Sequence, residues 1–199
     1  MIRNAISEVF STTQRQAEAI LALCAGLSIL IYAFLFIPSA NLLAWYTHPD
    51  YDLLAMMRSD PSVGIRLTVG FLLLIGLYIA GWKAAQKLQL PSRQAWIIVL
   101  AGAAIASLVL LYLYPFDAAD IFDNIMHGRI QGVYNDNPFR SLPSQYQSDP
   151  FYGYTAWRYA PSAYGPAWEV LAGIAARLAG NGIVSSVLMF KVLPGVFMV

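Results

Sequence analysis

Residues Ala95–Tyr114 read AWIIVLAGAAIASLVLLYLY, twenty residues without a charge. A helix of that length rises about 30 Å, the thickness of a bilayer's hydrocarbon core. Working outward, two more stretches read the same way. Ala19–Ile37 (AILALCAGLSILIYAFLFI) is uncharged, and Val63–Trp82 carries only Arg66, near one end. From Trp168 the chain is apolar again, interrupted by Glu169, Arg177 and an Asn181-Gly182 break, and Ile183–Val199 stays hydrophobic.

The composition agrees. Of 199 residues, 58 % are apolar and 12 % charged, against about 45–50 % and 25 % in soluble domains. Mean hydropathy is +0.56. An ordinary soluble domain, a disordered chain and a nucleic-acid binder are disfavoured together, and a net charge of +1 offers no polybasic surface. The single cysteine, Cys24, excludes an internal disulfide and a cysteine-rich metal site.

The expectation is an all-α, polytopic transmembrane helical protein with about five spans. Residues 1–18 read as a polar cytoplasmic tail, 19–114 as three spans with short connectors, and 115–165 as an extracytoplasmic loop. Residues 166–199 read as a fourth span and the start of a fifth. Because the last apolar run holds Lys191 and Pro194, the sequence is expected to be the N-terminal part of a longer protein. Orientation follows Lys/Arg density. The connector 83–94 holds Lys83, Lys87 and Arg93, whereas residues 115–165 hold three basic residues against five aspartates. The connector is therefore placed inside, and the cell membrane is the expected location.

The segment 115–165 is where chemistry could reside. Its eleven aromatic residues suit the membrane–water interface, so short interfacial helices are expected there. Asp117, Asp120, Asp123 and His127 follow at helical spacing. A helix over 118–131 puts Asp120, Asp123 and His127 on one face, with Asp117 near the N-cap. Those ligand types make a divalent cation a candidate. The segment Tyr134-Asn-Asp-Asn137-Pro-Phe139 is a turn by composition, and Tyr134 and Asn137 could offer stacking and hydrogen-bonding groups to a sugar. Pro166 fits the first turn of a helix. That helix start and Arg158 together could hold a phosphate. A carboxylate base beside a phosphate holder at a bilayer surface suits transfer of a sugar from a polyprenyl phosphate.

At these residues the chain resembles the GT-C superfamily of integral-membrane glycosyltransferases, and within it the bacterial polyprenyl-phosphomannose-dependent α-mannosyltransferases. Tyr114–Phe139 (YPFDAADIFDNIMHGRIQGVYNDNPF) and Arg158–Leu171 (RYAPSAYGPAWEVL) carry the resemblance. The matching pieces are Gly128-Arg129, Asn137-Pro138-Phe139 and Ser162–Trp168. The resemblance implies transfer of a hexose, mannose among the candidates, from a polyprenyl-phosphate donor to an extracytoplasmic glycan or lipid. It implies Asp120 as the base toward the acceptor, with Asp123 the runner-up or an assistant. Arg129 and Arg158 would hold the phosphate, and Tyr134, Asn137 and Tyr164 would shape the sugar pocket, with His127 and Ser162 beside them.

Two other classes compete. A transporter or flippase would use ionisable groups within apolar stretches, such as Arg66, Glu169, Arg177 and Lys191. A non-catalytic membrane subunit would scaffold a partner. The concentration of acids in one loop favours the enzyme.

Overall fold

The structure, a computed structural model, describes residues 2–47, 52–88, 92–116 and 120–196. Among these the regular structure is helical, with no β-strand. The order is α1 (Ile2–Ile31), a π-helical turn (Tyr32–Phe36), α2 (Ile37–Ser39), α3 (Leu42–Trp45), α4 (Leu53–Ser59), α5 (Pro61–Ala85), α6 (Arg93–Leu110), α7 (Asp120–Gly132), α8 (Pro166–Ala179) and α9 (Ile183–Val196). Two 3-10 turns, Pro143–Gln145 and Tyr152–Tyr154, lie between α7 and α8. The chain divides into two compact units, residues 1–39 with 62–113, and residues 40–61 with 114–199.

The first unit holds the three helices that are long and apolar enough to cross a membrane: Thr12–Ser39, Pro61–Ala85 and Arg93–Leu110. Their large apolar side chains face outward. Ile65, Leu72, Trp96, Leu100 and Leu108 are all more than half exposed. In water such a surface would be an aggregation site; in a bilayer it meets lipid. This is a membrane protein. Within the unit α1 packs on α6, and a Cβ at Gly102 would lie 2.9 Å from that of Ala25. Ser92 caps α6 by accepting the Ala95 N–H, and its hydroxyl donates to the buried Glu18. At the π-helical turn the Phe36 ring fills the space over Gly70 and meets Phe71 edge-on.

Three of the roughly five spans expected are described as helices of spanning length; α8 begins where the fourth was expected and α9 where the start of a fifth was. Helices α8 and α9 have 14 residues each, about 21 Å at 1.5 Å per residue.

In the second unit, Asp52 caps α4 by accepting the Ala55 N–H. Three bonds gather its loops: Tyr114 N–H to the Ala40 carbonyl, Leu53 N–H to that of Phe116, and the Tyr154 hydroxyl to that of Tyr46. Tyr114, Phe122, Ile125, Met126, Ile130 and Phe151 are buried. The closest packing is α7 on α8. A Cβ at Gly128 would meet the Ala172 carbonyl oxygen at 2.6 Å, and one at Gly132 would come closer still to the Gly173 carbonyl oxygen. Only hydrogen at these two positions lets the backbones approach so closely. Asn135, at φ 58°, ends the helix in the left-handed region. Arg177 reaches back from α8 to the Gly132 carbonyl and the Asn135 side chain, satisfying acceptors freed at the end of α7.

Candidate functional site

The spacing of Asp120, Asp123 and His127 is realised on α7. All three line a pocket of about 370 Å³, whose other walls are Trp157, Ala160, Pro161, Ala163 and Tyr164. Asp117, expected near the N-cap, lies outside the described residues.

The three acid–base groups differ in exposure. Asp120 sits in the first turn of α7 and is exposed, whereas Asp123 and His127 are each 3 % exposed. Asp123 is held from across the loop: its Oδ1 accepts the Trp157 N–H at 3.0 Å, while its Oδ2 has no hydrogen-bond partner. Burial pushes its carboxyl above the ordinary carboxylate range, against the opposing pull of the Trp157 N–H and of His127. His127 Nε2 lies 3.3 Å from the Ala160 carbonyl oxygen, and Nδ1 has no partner. Unsatisfied buried polar atoms are costly and rare, and two of them here belong to residues of one pocket. Asn124 fixes the frame. Its Nδ2 donates to the Asp120 carbonyl at 2.7 Å and its Oδ1 accepts from Trp168 Nε1 at 2.6 Å, tying the first turn of α7 to that of α8.

Tyr164 thus joins Asp120, Asp123 and His127 at the pocket, and Ser162 stands directly behind its wall. The Ser162 hydroxyl donates to Glu169 Oε1 and accepts the Tyr164 N–H. The structure does not bring the remaining expected residues to this lining. Arg129 is buried in an ion pair, with Nε 2.8 Å from Asp149 Oδ2 and the terminal nitrogens on the Gly180 carbonyl and Asn181 Oδ1. Tyr134 donates to Asp149 Oδ2, and its ring lies tilted against that of Tyr146 with centroids 4.5 Å apart. Asn137 turns its Oδ1 to the Phe139 N–H and so builds the turn itself. Arg158 donates to the Thr155 and Gly153 carbonyls and lies 4.9 Å over the Tyr152 ring. The start of α8, expected to favour an anion, carries a carboxylate of its own in Glu169, which is 1 % exposed.

Among the described residues no group of three or more His, Cys, Asp and Glu is placed to hold a metal ion. Asp120, Asp123 and His127 share a pocket without forming a ligand set. Trp157, a pocket wall, has no role in the sequence reading, and Glu169 has one only in the transporter reading. For Trp157 the signal was available in WRYAPSAYG, where Ala160, Pro161 and Ala163 leave room beside two large rings.

The family model for the N-terminal domain of alpha-(1->6)-mannopyranosyltransferase matches residues 23–199. The chain belongs to this family. The resemblance carried by Tyr114–Phe139 and Arg158–Leu171 therefore holds at family level, and the match takes in the whole pocket. No curated protein and no solved structure matches the chain. Membership makes the chain part of a glycosyltransferase, so its partners are a sugar donor and a glycan acceptor.

Proposed function

We propose that the protein transfers mannose from a polyprenyl-phosphate donor to the hydroxyl of an extracytoplasmic glycan or lipid, forming an α-(1→6) linkage in a GT-C-type membrane core. The observation that carries this reading is the pocket itself: two carboxylates and an imidazole on one helix face, confronted by two aromatic side chains. Asp120 acts as the base. It takes the proton of the acceptor hydroxyl as that oxygen bonds to the sugar's C1. The bond from C1 to the phosphate oxygen breaks, and polyprenyl phosphate leaves with the electron pair. Asp123, with one oxygen held and the other unpartnered, orients the acceptor by receiving a second hydroxyl. Trp157 and Tyr164 present ring faces to the sugar.

Charge decides which substrate enters. The pocket lining holds two aspartates and neither lysine nor arginine. Like charges about 4 Å apart repel by about 4 kcal/mol at an effective dielectric constant of 20, so this lining favours a neutral, hydroxyl-rich acceptor over an anionic phosphate. The donor phosphate is placed outside the lining. There Arg158, next in the chain to Trp157, has N–H groups beyond the two that bond Thr155 and Gly153.

The test is transfer from a labelled polyprenyl-phosphate mannose by the membrane-embedded protein. Asp120→Asn is expected to lower the rate by about 10²–10⁴-fold, the usual contribution of a positioned base. A wild-type rate in Asp120→Asn would remove Asp120 as the base, and wild-type rates in both Asp120→Asn and Asp123→Asn would overturn the pocket assignment.

A further inference from the structure

Among the described residues Glu169 is the most deeply buried acid that the reaction above does not use. It is 1 % exposed, and its Oε2 has no hydrogen-bond partner. A buried carboxylate with one hydrogen bond is expensive, and an apolar side chain of similar size would serve packing better. Its surroundings explain its presence. Oε1 accepts the Ser162 hydroxyl at 2.5 Å. The same Ser162 oxygen accepts the Tyr164 N–H at 3.1 Å, and the Ser162 N–H donates to the Pro138 carbonyl at 2.8 Å. Pro161, Ala163 and Tyr164, the neighbours of Ser162, are pocket wall. His127, which also lines the pocket, acts by charge on the Glu169 carboxyl.

We infer that Glu169 is a positioning residue for the acceptor-sugar pocket: it reaches no substrate, but through Ser162 it fixes the Pro161–Tyr164 wall and so sets how tightly the sugar binds. The inference rests on the pocket being the acceptor site. A rigid α8 supplies the anchor, and a single hydroxyl transmits its position to a loop that could otherwise shift. Preorganisation of this kind lowers the ordering cost of binding.

The experiment is steady-state kinetics of mannosyl transfer with the membrane-embedded protein, varying the acceptor at saturating donor. Glu169→Ala and Ser162→Ala are each expected to raise the acceptor KM by about tenfold, the equivalent of one lost hydrogen bond, with kcat changed much less. Glu169→Gln is expected to stay near the wild-type KM, because its amide oxygen still accepts the Ser162 hydroxyl. The double variant Glu169→Ala/Ser162→Ala is expected to be no worse than Glu169→Ala alone, as for two residues acting through one contact. Should Glu169→Ala fail to accumulate, Ser162→Ala and Glu169→Gln carry the test. An unchanged acceptor KM in Ser162→Ala, a Glu169→Gln variant with a KM as high as Ser162→Ala, or additive losses in the double variant would overturn the inference. Those results would leave the pocket reading intact as long as Asp120→Asn is inactive, whereas full activity of Asp120→Asn and Asp123→Asn would remove the reading on which the inference stands.

Discussion

Asp123 and Trp157, 34 positions apart in the chain, are joined by one hydrogen bond from the Trp157 N–H to Asp123 Oδ1. The bond fixes a carboxylate at the pocket and leaves its second oxygen unpartnered. It also opposes, without cancelling, the effect of burial on that carboxyl.

The first prediction concerns pH. Because the folded-state pKa of Asp123 is raised, the native state holds its proton more tightly than the unfolded chain does. Its contribution to stability is therefore greatest at low pH. It declines as pH rises from the unfolded value through the raised folded one, a tenfold difference in proton affinity between the two states being worth about 1.4 kcal/mol. Asp123→Asn keeps an oxygen for the Trp157 N–H and removes the charge. It is expected to be at least as stable as wild type at neutral pH, with a flatter dependence of thermal midpoint on pH below 7, while losing transfer activity. A variant that is both less stable at neutral pH and fully active would contradict this.

A second prediction separates the arginines. Arg129 is buried against Asp149, beside the Phe151 ring. Removing one partner of such a pair leaves an uncompensated charge and costs about 3–5 kcal/mol. Arg129→Ala is expected to lower the unfolding midpoint in detergent severely. Arg129→Ala/Asp149→Ala should cost less than the sum of its single variants. Arg158, half-buried and bonded to two backbone carbonyls, should give a smaller stability loss on replacement by alanine. Its transfer defect should appear as a raised donor KM.

These two arginines show how far the sequence could be read. The spans were legible because twenty uncharged residues have few other solutions. The grouping of Asp120, Asp123 and His127 was legible because helical spacing alone puts them on one face. Arg129 was not, since its partner Asp149 lies 20 residues away and spacing does not say which anion an arginine will meet. Glu169 read as an interruption of an apolar run, because nothing local reveals that Ser162 turns its hydroxyl back to it.

The third prediction tests the helix pair that carries the site. Gly132→Ala would drive a methyl group into the Gly173 carbonyl oxygen, backbone against backbone. The helices must separate, at a cost of at least about 1–3 kcal/mol. Both activity and thermal midpoint should fall together. Gly26→Ala on α1, with nothing within 4 Å of the added carbon, should leave the midpoint unchanged or raise it, since alanine is the better helix former.

The last prediction uses the fact that Trp157 meets Asp123 through its backbone. The side chain is 62 % exposed and lines the pocket, so Trp157→Ala removes the ring while sparing the hydrogen bond. If the ring is a platform for the sugar, the acceptor KM should rise by about 2- to 10-fold, the equivalent of an aromatic contact worth about 0.5–1.5 kcal/mol. The turnover number and the thermal midpoint should barely move. Trp157→Pro removes the N–H as well, and with it the hydrogen bond to Asp123 Oδ1. Its turnover should fall far below that of Trp157→Ala, because the carboxylate loses its orientation along with the platform. Equal turnover in the two variants would show that the N–H does not hold Asp123 for the reaction, and an unchanged acceptor KM in Trp157→Ala would remove the ring from the sugar site.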